Sequence, residues 1–534
     1  MPEKVRKGWN VSSHWNAAFI LVLLTCCIFA VLLSLVDLFG FPLISPGGEA
    51  LATIRDLPQE SDFYFTPAGS SAYGWSFDAM RSPLELDVTV KTPPLEYGET
   101  VEMVVVSGGK IISDEDCIGE EDVSVGSPVG MTSLACTVPL SYNYAKTDNL
   151  TVYAVLTNPG AEESYLAYSL PLEVNWGDYE ASFWSSSIVI ALAALAGLGL
   201  VAVVGAAMAF FALRSKHDAE YAGEYTLESM FNPFRYAKTV SQEIQATIAS
   251  VPFWALELSG ILVVVFYLAV SFEAWKSESA VFAFLASGAF AFITPFLWTA
   301  LVWFADYKER EPLRLIVSLF LWGGFACLMA IGINTITGSM FIALGIGFLA
   351  ASFTAPIFEE LFKGTGLAIF SLHHEYDGMV DGIVYGFAVG MGFSFVENWL
   401  YLLNNPMGGD IGGWITVFTL RSIAFSANHG VFTAMTGGII GLFKQWRFKY
   451  STLGMLAGMV PAMLLHAIHN SGEIWVALFG GAGALAYFCV LLPLFDYGSL
   501  ILLAIILIGG VVLTQDKKKE PLEPPDFLKM FGKK

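Results

Sequence analysis

Residues Ile188–Leu213 read IVIALAALAGLGLVAVVGAAMAFFAL, an unbroken apolar run without one charged side chain. Written as a helix at 1.5 Å per residue, such a run is longer than the ~30 Å hydrocarbon core of a bilayer. Lipid offers no hydrogen bonds to the backbone, so a spanning segment must satisfy its own, and a helix is predicted. Working outward, Trp15–Phe39, Ala280–Phe304 and Leu315–Ile333 read the same way, as do segments at about 254–270, 340–372, 381–403, 414–443, 451–471, 476–495 and 498–514. The whole chain agrees. Of its 534 residues 55% are hydrophobic and only 14% charged, and the mean hydropathy is +0.61, outside the range of soluble domains. The expected fold class is an all-α polytopic membrane bundle of about ten or eleven transmembrane segments, with an inserted extracytoplasmic β-sandwich-like domain.

That insertion announces itself by charge. Glu49 through Asp178 holds 21 Asp/Glu against 5 Lys/Arg, most of the chain's net charge of −21. Strand-like runs, Leu86–Val90, Val101–Val106, Leu150–Leu156 and Ser169–Val174, alternate there with Gly-, Pro- and Asn-rich turns. Its acidic face serves to keep an exported domain soluble, or to bind a protein or peptide. Cys117 and Cys136 both fall in it, and an oxidising compartment would favour their pairing.

Basic residues gather instead beside the apolar runs: Lys4, Arg6 and Lys7; Arg214 and Lys216; Lys308, Arg310 and Arg314; Lys444, Arg447 and Lys449; Lys517 to Lys519. The positive-inside rule puts these on the cytoplasmic side, with the N-terminus, in a multi-pass protein of the cell membrane. The first apolar run has no small-residue cleavage pattern and reads as an anchor, not a signal peptide. The division expected is 1–44, N-terminus and first helix; 45–180, outer acidic β domain; 181–253, second helix and cytoplasmic linker; 254–337, further helices; 338–475, a polar-bearing core; and 476–534, C-terminal segments and tail. Three full crossings between Lys449 and Lys517 would put those basic loops on opposite sides, so one segment is expected to be re-entrant, or the rule fails locally. Segment 340–372 is too long for one crossing and reads as two helices broken near Pro356.

An ionisable side chain within a span costs a few kcal/mol or more, so each one poses a functional question. The second half of the chain has many: Glu359, Glu360 and Lys363 in Phe358-Glu-Glu-Leu-Phe-Lys363; Asp381, Glu397 and Asn398; Arg421, Asn428 and His429; His466, His469 and Asn470. Lys363 is one helical turn from both glutamates and can neutralise one, leaving the other as a candidate base. Gly382, Gly386 and Gly390 form a doubled small-xxx-small pattern, and Glu397, two turns further, falls on the same packed face. His429 and Thr433 are one turn apart, as are His466 and Asn470. Together the set offers what peptide hydrolysis needs: a carboxylate to take a proton from water, a group to orient that water, and donors for the oxyanion. Gly-x-Ser-x-Gly and His-Glu-x-x-His are both missing. Glu/His metal ligation is conceivable, but the spacing is no strong zinc signature.

These residues resemble the PrsW family of intramembrane proteases, related to the type II CAAX-prenyl proteases. The resemblance covers roughly 340–475. It rests on Glu359-Glu360-x-x-Lys363; Asp381-Gly382-x-x-Tyr385-Gly386 leading to Gly392-Phe393-x-x-x-Glu397-Asn398 and Tyr401; His429-x-x-x-Thr433; and His466-Ala467-x-x-Asn470, in that order. It implies regulated proteolysis of membrane-tethered substrates such as anti-sigma factors. Glu359 corresponds to the water-activating glutamate of the CAAX proteases and His466 with Asn470 to the oxyanion pair, while Glu397 stands where those proteases carry a histidine. The implied catalytic set is Glu359, Glu360, Lys363, Glu397, His429, His466 and Asn470. A metal reading, with Zn2+ or another divalent ion, uses Glu360, Glu397, His429 and His466 as ligands; a glutamate-protease reading needs none.

The partners expected are the bilayer and a membrane-tethered protein substrate, with no nucleic acid. Two other classes compete with an enzyme. Polar residues can lock the bundle of a non-catalytic scaffold or assembly protein, and buried carboxylates can relay protons in a transporter, which would show an internal repeat that this sequence lacks.

Overall fold

Glycines at every fourth position of a membrane helix bring backbones, not side chains, into contact, and here that rule builds the centre of the molecule. The computed structural model describes residues 11–39, the strands between Ile54 and Asn175, and then 177–214, 222–232, 239–271, 280–344, 346, 349–404, 411–448 and 451–513. The Cys117–Cys136 pairing, the tail beyond 513, and Lys4, Arg6, Lys7, Lys216 and Lys449 lie outside the described residues.

Helix α1 spans Val11–Phe39. Ten strands follow: β1 Ile54–Asp56, β2 Tyr64–Pro67, β3 Trp75–Asp78, β4 Glu85–Thr92, β5 Thr100–Ser107, β6 Lys110–Asp116, β7 Ile118–Gly119, β8 Thr132–Pro139, β9 Leu150–Asn158 and β10 Glu163–Asn175. One sheet runs β1-β10-β9-β5-β6, with β3 beside β10, and the other β2-β4-β8-β7. The four strand-like runs of the sequence fall in β4, β5, β9 and β10.

The helical part continues with α2 Gly177–Ala212, α3 Leu227–Phe231, α4 Val240–Ile248, α5 Val251–Ser271, α6 Ala280–Ala305 and α7 Leu313–Ala343. Then come α8 Ala355–Phe370, α9 Met379–Asn404, α10 Ile411–Phe418, α11 Asn428–Gln445, α12 Gly454–His469, α13 Gly472–Ala486 and α14 Gly498–Leu513. Among the described residues six stretches are long and apolar enough to cross a membrane, and the chain is a multi-pass membrane protein. The long segment 340–372 is divided as its proline suggests. Helix α7 ends at Ala343, a π-helical turn occupies Ala350–Thr354, and Pro356 opens α8, where its missing N–H is harmless.

Helix α9 is the axis of the bundle, with 83% of its apolar window buried. A Cβ on Gly382, Gly386 or Gly390 would overlap the carbonyls of Gly437, Thr433 and His429 on α11. One on Gly392 would overlap the Phe320 carbonyl of α7. The glycine face therefore sets α11 directly against α9, antiparallel to it, with His429 level with Gly390. Helix α10 and a π turn at Thr419–Ala424 lead into α11 along the same face, since Asn398 reaches the Arg421 carbonyl and Ser394 that of Ser426.

The C-terminal region changes direction at one residue. Gly480 has φ +57 and ψ −139, a non-helical conformation inside α13 that suits glycine. The chain turns back there: a Cβ on Gly483 would overlap the Trp475 carbonyl, and Gly472 faces the Tyr487 ring. Residues 472–479 are thus a short stub against a long return run through α14. Lys308, between α6 and α7, donates to the carbonyl of Val511 at 2.6 Å, and Lys444 to those of Ser371 and His373 at 2.6 and 2.9 Å. Among the described residues, the loops of Lys308 and Lys444 share one end of the bundle.

Candidate active site

Four helices bring the polar clusters together. Glu359, Glu360 and Lys363 stand on α8, Glu397 on α9, His429 and Thr433 on α11, and His466 on α12. All but Glu397 are buried, Glu360 and Lys363 completely.

Glu360 is the anchor. Its Oε1 accepts from Lys363 Nζ at 2.8 Å and lies 3.1 Å from His466 Nδ1. Its Oε2 accepts from Thr433 Oγ1 at 3.2 Å. An ionised carboxylate only accepts, so His466 presents Nδ1–H to it and keeps its lone pair on Nε2. That lone pair faces Glu359, 3.6 Å from Oε2.

Glu359 is engaged on one side only. Oε1 accepts from Asn334 Nδ2 at 3.3 Å, whereas the buried Oε2 has no hydrogen-bond partner and stands 3.6 Å from Lys363 Nζ. A buried acceptor left unpaired is costly, and here it is aimed at an imidazole lone pair. The adjacent glutamates therefore differ sharply: one is saturated, the other open.

His429 links the halves of the cluster. Its Nδ1 lies 3.0 Å from Lys363 Nζ and its Nε2 2.8 Å from Glu397 Oε2. An ammonium only donates, so Nδ1 accepts and Nε2–H is given to Glu397. The same Glu397 oxygen accepts from the Arg421 guanidinium at 2.5 Å. Arg421 also donates from Nε to Asn398 Oδ1 at 3.3 Å and lies 3.6 Å over the Tyr401 ring, a cation–π contact. Lys363 is 3.8 Å from the centre of the Phe393 ring.

Sequence reasoning named Arg421 among the in-span polar residues and gave it no role. The signal that could have found it is the cost of leaving Glu397 beside a neutral histidine with no cation. Asn470 stands elsewhere: it is the C-cap of α12, and its amide donates to the Ala351 carbonyl at 3.0 Å. Asp381 accepts the backbone N–H groups of Asp377 and Gly378 at the start of α9 and groups with Asp306 and Glu311.

Charge adds a constraint. Three carboxylates, Glu359, Glu360 and Glu397, face two cations, Lys363 and Arg421, so one negative charge is left for a proton or metal ion to balance. The donor set fits a divalent ion. Glu359, His429 and His466 each offer an atom, all within 4.8 Å of one another; Glu359 Oε2 is unpartnered and His466 Nε2 is open to it. His429 would join by giving up Lys363 or Glu397. Of the four ligands in the sequence's metal reading, Glu360 and Glu397 are occupied by cations and histidines.

Comparison with known proteins gives the same reading. A family profile described as PrsW family intramembrane metalloprotease matches residues 311–497. Protease PrsW of Oceanobacillus iheyensis is 32% identical over 165 residues, 30% of this chain and 72% of that protein. Protease PrsW of Geobacillus kaustophilus is 27% identical over 31% of this chain and 69% of its own length. For Protease PrsW of Bacillus subtilis the identity is 26%, over 30% and 70%. No solved structure matches. On the matched motifs and this degree of coverage, the chain belongs to the PrsW family of intramembrane proteases.

Proposed function

We propose that the chain hydrolyses peptide bonds of membrane-tethered proteins by activating water between Glu359 and His466. The observation that carries this reading is the unpartnered Glu359 Oε2 facing the His466 Nε2 lone pair inside a buried cluster. In the metal-free form, Glu359 takes the proton from water and returns it to the leaving amine. Glu360 fixes the tautomer of His466 and, with Lys363, the rotamer of the helix turn they share. Lys363 supplies positive charge to the oxyanion. Glu397, held by Arg421, orients His429. Asn470 acts on the reaction, if at all, through the π turn at Ala351 that it tethers.

A divalent ion such as Zn2+ would be held by Glu359, His429 and His466 and would supply Lewis acidity toward the scissile carbonyl. The same residues without it compose a glutamate-type site. The Glu359 orphan oxygen and the family's description as metalloproteases support the metal form.

The topology we propose has about ten crossings, a cytoplasmic N-terminus in the cell membrane, and basic loops inside. Residues 45–180 form the outer β-sandwich, able to bind a protein or peptide, and 338–475 the catalytic core. What supports it is the sharing of one bundle end by Lys308, Val511, Lys444 and Ser371, and the turn-back at Gly480.

The experiment is reconstitution in proteoliposomes with a pooled library of tagged single-pass membrane segments. Wild type is expected to cut a subset and Glu359→Gln none, with both variants equally folded. An undiminished Glu359→Gln would remove the base. Dialysis against a chelator, followed by Zn2+ alone, distinguishes the metal form by loss and recovery.

A further inference from the structure

The mechanism above leaves two buried carboxylates of the spans unused, Glu257 and Asp496, and Asp496 is the one that contacts a site-bearing helix. Asp496 lies in a π-helical turn, Pro493–Tyr497, and is 1% exposed. Its Oδ2 is 2.9 Å from His469 Nδ1, and its Oδ1 has no hydrogen-bond partner. No Lys or Arg pairs with it among the described residues. A lone carboxylate in a span is retained at a cost, and His469 is the partner that meets it.

What His469 touches makes the pair more than a local contact. Its Nδ1 also lies 3.1 Å from the side-chain amide of Asn428. The Asn428 atom at that contact is Nδ2; with Nδ1–H donated to Asp496, the amide is read in its flipped orientation, so that its oxygen accepts the same N–H. Asn428 is the first residue of α11, directly before His429. His469 is the last residue of α12, one turn after His466. The backbone carbonyl of His469 accepts from the Tyr487 hydroxyl. Between the two histidines of α12 lies Phe432, its ring 5.2 Å from His466 and stacked, and 6.1 Å from His469.

One buried carboxylate thus ties together the ends of α11 and α12 that carry the two site histidines, from a third segment, the C-terminal return run. We propose that Asp496 is a positioning residue of the proteolytic reaction, acting through His469 and Asn428 to hold His429 and His466 at their working separation, where their rings stand 5.1 Å apart. This rests on the proteolytic reading of the site. A group that orients site residues from behind typically changes rate or metal affinity by about 10–100-fold when altered.

The test uses the full chain in proteoliposomes and the best-cut segment of the library. Asp496→Asn preserves shape and removes the charge. The expected result is a fall of about tenfold in kcat, KM within about twofold, and an unchanged unfolding midpoint. Affinity for Zn2+ alone, measured by titration, is expected to fall in parallel. His469→Ala is expected to lower kcat at least as far, and adding Asp496→Asn to it to change nothing more, because the carboxylate acts through the imidazole. Wild-type kcat in Asp496→Asn, a loss of kcat that only tracks a fall in the unfolding midpoint, or losses that multiply in the double variant would each overturn the proposal. A wild-type chain that cuts no segment would sink the proteolytic reading and Asp496's part in it together. One that cuts equally fast with and without the Asp496 charge would sink Asp496 alone.

Discussion

Helices α2 and α9 look alike as apolar runs and do opposite things. The apolar window of α2 is 11% buried and that of α9 83%. Leu192, Leu195 and Val203 of α2 point outward, whereas Phe387, Val389 and Met391 of α9 are sealed in the bundle. The glycines separate them. On α9, Gly382, Gly386 and Gly390 are filled by the backbone of α11, while on α2 Gly197 meets only the Ile293 side chain and Gly199 has nothing near it. In lipid, apolarity says only that a segment enters the membrane; small residues at regular spacing say which segment is packed by others.

The sharpest break of that contrast lies in the chemistry that α9 and its neighbours enclose. Glu359→Gln should cost about 10²–10⁴ in cleavage rate, read as product release in proteoliposomes, while Leu192→Gln on α2 should leave the rate within twofold. Arg421→Lys keeps the charge and loses the fork that holds Glu397 and Asn398 together. A fall of about tenfold in the same assay is expected. Gly386→Leu pushes a side chain into the Thr433 carbonyl and should destabilise the bundle by about 3 kcal/mol or more. Gly199→Leu should change the unfolding midpoint by no more than a degree or two, about the effect of a neutral surface change. Equal effects for the two glycines would erase the distinction.

The mildest test sits in the loop between α6 and α7. Burial pushes Asp306 up to about 6. Its protonated form is favoured by folding, so the stability this group contributes is complete below its ordinary range near 3.8 and is lost as the pH rises through about 6. Asp306→Asn should therefore raise the unfolding midpoint at pH 8 and leave it unchanged at pH 4.

The legible part of the molecule was what chemistry forces to be rare. Charges in apolar spans are scarce enough that Glu359, Glu360, Lys363, Glu397, His429 and His466 could be picked out singly, and the structure brings those six side chains into one cluster. The difference between Glu359 and Glu360 was not legible, because it depends on Thr433 and His466, which are distant in sequence and meet only through the glycine face of α9. Asn470 follows the same logic in reverse: one turn after His466 on paper, it sits where α12 has already ended, and its amide finds Ala351. The reversal at Gly480 could not be placed from the sequence, since one glycine among many carries no mark of its positive φ.

The central claim is that the two ends of the polar set, Glu359 on α8 and His466 on α12, act as one catalytic unit. The cleavage rate of the Glu359→Gln/His466→Ala double variant, beside each single variant and wild type in one proteoliposome preparation, tests it most directly. Residues that work as a unit show losses that do not add, so the account predicts that the double variant is no slower than the worse single. A double variant slower by the product of the two single losses would contradict it.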